Sequence, residues 1–152
     1  MSDFGKATHA DADLVLRLYD LRREPVMREA RKFIAGFNPQ SADDIVALVY
    51  ATTPENAYFR QVTTFWEMAA SLVHHGAMHE GLFLDTCGEL FFVFAKFAPY
   101  LAEVRQKLEN PNFLAQSEKI VNHTEAAKNK LTAFMARQKK MAERRAQAAK
   151  NA

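Results

Sequence analysis

The side chains best suited to chemistry are concentrated in one stretch of the chain, SLVHHGAMHEGLFLDTCGEL, residues 71–90. It holds three of the five histidines and the single cysteine, Cys87. Imidazole, thiolate and carboxylate groups are the usual protein ligands of zinc, and they also transfer protons. The candidate metal ligands in this stretch and just before it are Glu67, His74, His75 and His79.

The spacing of these residues favours a helix end over a metal site. Neither HExxH nor the Glu-x-x-His pattern of di-iron bundles occurs in the chain. His74 and His75 are adjacent, so on a helix they point about 100° apart and cannot both face one ion without help. Glu67 and His74 share a polar stripe, whereas His75 follows the border of the core. Because an imidazole is favourable in the last turn of a helix, we expect a junction between two helices and no cofactor.

The next helix carries the cysteine and two acids. Cys87 lies on an apolar seam, where a free thiol behaves as a small hydrophobic side chain. Asp85 and Glu89 are one turn apart and opposite the seam, so as a pair they could serve acid–base or metal chemistry. Alternatively, they face solvent or pair with the arginines of the first helix, which are Arg22, Arg23, Arg28 and Arg31. The pattern favours this second interpretation, in which ion pairs fix helix docking.

Aromatic side chains at helical spacing allow two interpretations. They could line an apolar ligand cavity between helices, or they could simply form the core. The spacing favours the core. The residues concerned are Phe65, Trp66, Phe91, Phe92, Phe94 and Phe97.

Helical periodicity defines five segments that would position these residues. They cover about residues 11–35, 42–51, 54–76, 80–108 and 111–149. Ser41 and Thr53 are the expected N-caps of the second and third segments. Pro25 should kink or restart the first segment, and Gly76 should end the third. The predicted fold class is all-α: a single-domain bundle of about five helices with a long, basic C-terminal helix that can protrude.

The composition agrees with one helical domain. The chain has 152 residues, 49% of them hydrophobic, with only five glycines and five prolines. Residues 1–127 are expected to form the bundle, and residues 128–152 a basic helical extension of the same domain. No signal peptide is evident, and the most apolar window is too short to span a bilayer. Because one cysteine suits a reducing compartment, we expect a soluble cytoplasmic protein.

The charges divide unevenly along the chain. Residues 1–99 carry 9 Lys/Arg against 13 Asp/Glu, a net charge of −4, whereas residues 100–152 carry 11 against 5, a net charge of +6. The basic excess therefore belongs to the last helix. Its candidate interaction residues are Leu131, Phe134, Met135, Arg137, Lys139, Lys140, Met141, Arg144 and Arg145.

Four roles for this basic helix remain open. It could dock on an acidic protein surface, including another copy of the chain, or it could be a solvated helix end. Nucleic-acid binding lacks a recognised motif or interleaved aromatic residues. Peripheral contact with an anionic membrane would use a thin, alanine-rich apolar side. The favoured partner is therefore a protein.

Two passages resemble a bacterial family of small helical domains of unknown function. They are LRLYDLRREPVMREARKFI and YFRQVTTFWEMAASLVHHG, and the resemblance covers about residues 14–90. It implies a bacterial source and an all-helical fold. It implies no activity, ligand or catalytic residue.

Three hypotheses about function follow. The first is a non-enzymatic helical interaction or scaffold protein that self-associates or forms a small subunit of a larger assembly. The second is a helical domain that binds a small apolar ligand or a metal ion. An enzyme ranks third, because no nucleophile–base pair or phosphate-binding loop is visible.

Overall fold

The computed structural model describes residues 4–152, and all regular structure within that range is helical. The α-helices are α1 (His9–Arg22), α2 (Pro25–Gly36), α3 (Ala42–Tyr50), α4 (Pro54–His74), α5 (Glu80–Thr86), α6 (Gly88–Phe97), α7 (Leu101–Lys107), α8 (Ala115–Val121) and α9 (Glu125–Lys150). A 3₁₀ turn, Ala98–Tyr100, joins α6 to α7. The predicted all-α class is confirmed, but the predicted number of about five helices is too low.

The second and third predicted segments agree with α3 and α4. The Ser41 hydroxyl accepts a hydrogen bond from the Asp44 N–H at 3.3 Å, so Ser41 is the expected N-cap of α3. Thr53 stands at the N-cap position of α4 without a side-chain capping bond. Gly76 ends the turn after α4 in the left-handed region, at φ +72°. There the Ala77 N–H donates to the Leu72 carbonyl at 2.8 Å, as in a glycine-terminated helix.

The first predicted segment is two helices because Pro25 restarts the chain. Pro25 is the first residue of α2, where its missing N–H costs nothing. The Glu24 carboxylate caps the new helix by accepting from the N–H groups of Val26 and Met27 at 3.1 and 2.8 Å. The prediction of a kink or restart at Pro25 is therefore confirmed as a restart.

The fourth predicted segment, 80–108, is wrong as one continuous helix. Cys87, at φ −111° and ψ 51°, separates α5 from α6. Pro99 then coincides with the 3₁₀ turn, because proline cannot supply the N–H of an interior α-helical turn. The break at Cys87 lets α5 pack on α1 while α6 packs on α9.

The fifth predicted segment, 111–149, is also wrong as a single helix. It divides at Asn122–Thr124 because the Thr124 hydroxyl caps a new helix and accepts from the Ala127 N–H at 3.1 Å. The helix α9 therefore begins at Glu125, before the predicted boundary at residue 128, and continues without a break to Lys150.

The core is formed by apolar faces that meet between α4, α6 and their neighbours. Its largest fully buried side chains include Trp66, Phe83, Phe91 and Phe97. The helix α4 packs against α2 and α8, and α9 runs beside α6 in the same direction. None of the described helices is both long enough and apolar enough to cross a membrane.

Candidate functional site

The structure gives Glu67, a predicted metal candidate, a role in capping a helix. Its two carboxylate oxygens accept hydrogen bonds from the backbone N–H groups of Gln116 and Ser117 at 3.0 and 2.7 Å. These N–H groups belong to the first turn of α8, which has no intrahelical partners for them. The carboxylate therefore joins the middle of α4 to the start of α8.

The three histidine candidates do not converge on one point. His74 and His75 are both exposed at the end of α4, with ring centres 5.3 Å apart. The predicted position of His75 at the border of the core is therefore wrong, because His75 is exposed. His79 caps α5 instead: its Nδ1 accepts from the Leu82 N–H at 3.0 Å, and its Nε2 lies 3.2 Å from the Gly5 carbonyl. Within residues 4–152 no group of three His, Cys, Asp or Glu side chains is placed to hold a metal ion.

Cys87 is buried and Asp85 faces solvent, as the sequence predicts for both. The Cys87 thiol is buried, and burial raises its pKa above the usual value. A thiol in this state is a poor nucleophile, because the thiolate is the reactive form. Asp85 is exposed on α5. Among the described residues, neither belongs to a group of three His, Cys, Asp or Glu side chains placed to hold a metal ion.

Glu89 is the centre of an ion-pair cluster that connects four helices. Its carboxylate accepts from Arg22 of α1 at 2.7 Å and from the Nη2 and Nε of Arg31 of α2 at 2.7–3.0 Å. The indole N–H of Trp66 in α4 donates to the same group at 3.3 Å. The Arg22 guanidinium also lies over the Trp66 ring, 5.4 Å from its centre. The predicted pairing of Glu89 with arginines of the first segment is confirmed.

The electrostatics of this cluster favour an ionised Glu89. Burial alone raises the pKa of its carboxyl, but the hydrogen bonds and charges of Arg31 and Arg22 outweigh burial and lower that pKa. Conversely, the hydrogen bond to Glu89 raises the pKa of Arg31. The pKa shifts of Glu89 and Arg31 therefore both favour the charged forms of these two groups.

Lys96 is a second buried charge, and its role was missed by the sequence analysis. Its side chain is on α6 and is only 7% exposed. The ammonium donates to the carbonyls of Ala35 and Phe37 at 3.2 and 2.9 Å and to the side-chain oxygen of Asn38 at 3.3 Å. These carbonyls lie at the C-terminus of α2, where a cation is favourable. Burial, with a smaller effect from Arg145, lowers the Lys96 pKa to about 8.

The first half of α9 is part of the folded body. Leu131 and Phe134 are half-buried against the core, and the Phe134 ring stacks on Phe91 at 6.2 Å. The Gln138 amide donates to the Phe92 carbonyl at 2.8 Å. Two of the predicted interaction residues, Leu131 and Phe134, are thus already used within the chain.

Beyond Gln138 the residues of α9 are exposed. Every residue from 139 to 150 is exposed, and we call this part the projecting segment. It contains five Lys/Arg and one Glu, a net charge of +4, on about 18 Å of helix. None of these groups forms an ion pair in the described part of the chain. The predicted interaction residues within it are Lys139, Lys140, Met141, Arg144 and Arg145, whereas Met135 and Arg137 are exposed just before it.

An acidic surface forms where α3 meets α7 and the start of α4. Lys107 of α7 forms an ion pair with Glu103 of the same helix and another with Asp43 of α3. The pair with Asp43 joins the two helices. The Asn56 amide donates to the Val49 carbonyl at 2.7 Å and holds the start of α4 at the end of α3. We call this surface the acidic face. It comprises Asp43, Asp44, Tyr50, Glu55, Glu103 and Lys107, with a net charge of −3 and a Tyr50 ring that is 68% exposed.

Two grooves border α6. One, of about 560 Å³, lies between α6 and α9 and is lined mainly by apolar atoms of Ala95, Pro99 and Met135. The other, of about 260 Å³, lies between α2 and α6 beside the Glu89 cluster. Of the predicted core aromatics, Trp66, Phe91, Phe94 and Phe97 are buried, whereas Phe65 and Phe92 are half-buried at the edge of the core.

Comparison with known proteins identifies a family and no function. A family model described as a domain of unknown function, DUF4760, matches residues 7–124. Neither the curated proteins nor the solved structures contain a significant match to this chain. The matched range ends at the N-cap of α9, so that helix lies outside it.

Proposed function

We propose that this chain, which belongs to the DUF4760 family of domains of unknown function, is a non-enzymatic, self-associating helical scaffold. Its projecting segment docks on the acidic face of a second copy. The observation that carries the proposal is the exposure of every residue from 139 to 150, a helical segment whose positive charges form no ion pair with residues 4–152.

Charge complementarity supports a second copy as the partner. The projecting segment has a net charge of +4, and the acidic face has a net charge of −3. The face also offers the exposed Tyr50 ring, on which an arginine can stack, and the segment offers the exposed Met141. Surfaces of opposite charge attract each other and fix the register of a complex.

The arrangement predicts a closed dimer. If each copy places its projecting segment on the acidic face of the other, the two contacts are equivalent and are related by a twofold axis. Each copy then uses both of its charged surfaces, and no free surface remains to extend a chain of molecules. The proposal also includes a cytoplasmic location, since a buried free thiol at Cys87 suits a reducing compartment.

Light scattering of the purified full chain over a range of concentrations tests this function. We expect the average mass to rise toward that of a dimer at low salt, about 50 mM NaCl, and to fall at about 500 mM, because salt screens exposed charges. Neutralising the projecting segment by K139Q/K140Q/R144Q/R145Q should leave a folded monomer.

A matched control, R17Q/R23Q/R60Q/K119Q, removes four other exposed cations that form no ion pair with the described residues. This control changes the net charge equally and should retain association. A wild-type chain that stays monomeric at every concentration would contradict the proposal. So would a projecting-segment variant that associates as the wild type does.

A further inference from the structure

The Glu89 cluster contains more positive than negative charge. The side chains of Arg22 and Glu89 are only 13% and 15% exposed, and that of Arg31 is 31% exposed. Two guanidinium groups therefore share one carboxylate in a largely buried setting. A buried charge without a full counter-charge is unfavourable unless another group of opposite sign approaches it.

Glu89 has no remaining capacity to neutralise the second arginine. Both of its oxygens already accept hydrogen bonds, from Arg22, Arg31 and Trp66. The Arg22 Nε is buried and has no hydrogen-bond partner among the described residues. The cluster therefore has more hydrogen-bond donors than acceptors.

A cleft opens beside this cluster between α2 and α6. It has a volume of about 260 Å³ and is lined by three cations of α2 and one acid, Glu89. The cations are Arg28, Arg31 and Lys32, whose spacing places them on neighbouring turns of one helix face. The side chains of Arg28 and Lys32 have neither an ion pair nor a hydrogen bond within the part of the chain that the structure describes.

The opposite wall of the cleft is apolar. Phe92 and Val93 of α6 form it, with Ile34 and Ala35 of α2 at its base. The Lys96 ammonium lies 4.8 Å from the centre of the Phe92 ring and adds another positive charge behind this wall. The cleft thus combines free donors on one side with a small apolar surface on the other.

We infer that this cleft binds a small oxyanion, a phosphate or carboxylate group held by Arg28, Arg31 and Lys32. The bound anion adds negative charge beside Arg31, which belongs to the Glu89 cluster and lines the cleft. A short apolar body attached to that group packs on Phe92 and Val93. Arginine suits this task because its planar group forms paired hydrogen bonds with carboxylate and phosphate oxygens.

The single tryptophan provides a specific reporter of binding. Trp66 donates its indole N–H to Glu89, at the centre of the cluster that borders the cleft. An anion that draws Arg31 toward the cleft changes the environment of that N–H. The indole signal of Trp66 in a ¹H–¹⁵N NMR spectrum is unique, because the chain contains one tryptophan.

The experiment titrates the full ¹⁵N-labelled chain at constant ionic strength. The three probes are inorganic phosphate, butyrate and chloride. We expect a saturable shift of the Trp66 signal with phosphate, butyrate or both, and none with chloride. A response to phosphate alone identifies a phosphate site, and a stronger response to butyrate identifies a carboxylate with an apolar body.

Two variants decide whether the cleft is responsible. R28Q/K32Q should raise the dissociation constant at least about tenfold, because two charge-assisted hydrogen bonds are lost. R17Q/R60Q removes two other exposed cations that have no ion pair within residues 4–152, and it should leave binding unchanged. Both pairs are exposed, and the remaining NMR signals report whether the variants fold. The inference is overturned if no probe gives a saturable shift, or if R28Q/K32Q binds as tightly as the control.

Discussion

Glu89 is the residue that connects α1, α2 and α4 to the start of α6. Its carboxylate receives hydrogen bonds from Arg22, Arg31 and Trp66, so it compensates charges that the fold has largely withdrawn from water. Removing one partner of such a cluster leaves the others buried without compensation, and this costs more than the original cluster contributes. The stability of the junction therefore depends on Glu89 more than on either arginine alone.

We predict that Glu89→Gln lowers the free energy of unfolding by about 2–4 kcal/mol, because two guanidinium groups lose their counter-charge. Urea denaturation at neutral pH measures the change. The matched control is Asp85→Asn, which removes an exposed acid one turn away and should change stability by less than about 0.5 kcal/mol. Equal effects of the two substitutions would show that the cluster does not stabilise the fold.

Lys96 makes stability depend on pH in the alkaline range. Its pKa in the folded protein is about 8, below its usual value of 10.5. Between these values the unfolded chain binds more protons than the folded chain, so stability rises as pH increases from about 8 to 10.5. The rise attributable to Lys96 is at most about 3 kcal/mol. Urea denaturation of the wild type and of Lys96→Met across this range should show the rise in the wild type only, and parallel curves would contradict the prediction.

At the residue scale, the sequence predicts a contact where opposite charges identify the two partners. It anticipated that Glu89 would meet arginines of the first segment and that Cys87 would be buried, because both follow from their phase on a helix. It did not anticipate the capping roles of Lys96 and Glu67. Those depend on backbone groups of Ala35 and Ser117, 61 and 50 residues away in the chain. Glu67 could have capped the N-terminus of any helix and Lys96 the C-terminus of any helix, so helical periodicity could not identify their partners.

At the scale of elements, the turn after α4 requires glycine. Gly76 has φ +72°, a conformation that L side chains rarely adopt, whereas Gly36 at the end of α2 has an ordinary φ and open space around it. We predict that Gly76→Ala lowers the free energy of unfolding by about 1 kcal/mol. Gly36→Ala should be neutral or stabilising by up to about 1 kcal/mol, because it restricts the unfolded chain. Thermal denaturation of both variants measures the difference, and equal melting temperatures would contradict it.

The start of α8 depends on a side chain from another helix. We predict that Glu67→Ala lowers the free energy of unfolding by about 1–2 kcal/mol, because two backbone N–H groups lose their acceptor. His74→Ala, which changes an exposed side chain of the same stripe, should have an effect below about 0.5 kcal/mol. Chemical denaturation measures both changes.

The same pair of variants tests the metal hypothesis. If Glu67 and His74 were ligands of one ion, both substitutions would destabilise the protein, and a chelator would lower its melting temperature. We expect the chelator to leave the wild-type melting temperature unchanged.

The sequence predicted where helices exist better than where they divide. The breaks at Pro25 and Gly76 were predicted because proline and glycine impose them locally. The breaks at Cys87 and Thr124 fall within stretches of continuous helical spacing, so the pattern did not predict them. At Cys87 the chain changes direction so that α5 can meet α1 while α6 meets α9. At Thr124 the side-chain hydroxyl caps a new helix, so the preceding helix does not continue. The apolar spacing does not indicate this break.

At the scale of the whole molecule, the charge division of the sequence becomes a division in space. Of the net charge of +6 on α9, +4 lies on the projecting segment, and acids of the earlier helices meet on the acidic face. The sequence predicted a basic helix that can protrude from the bundle, but it could not show the residue at which the cover of α9 ends. That depends on Phe134 and Gln138 meeting Phe91 and Phe92 across the interface with α6.

Mixing two complementary variants tests self-association through these surfaces most directly. One variant neutralises the projecting segment by K139Q/K140Q/R144Q/R145Q and keeps its acidic face. The other neutralises the face by D43N/E55Q/E103Q and keeps its projecting segment. Each variant alone lacks one half of every contact, whereas an equimolar mixture can still form one intact contact between unlike chains.

Sedimentation velocity of the two variants, separately and mixed, is the deciding measurement. We predict that each variant alone sediments as a monomer and that the mixture forms a dimer whose fraction rises with concentration and falls with added salt. A mixture that sediments as monomers, under conditions in which the wild type is dimeric, would contradict docking of the projecting segment on the acidic face.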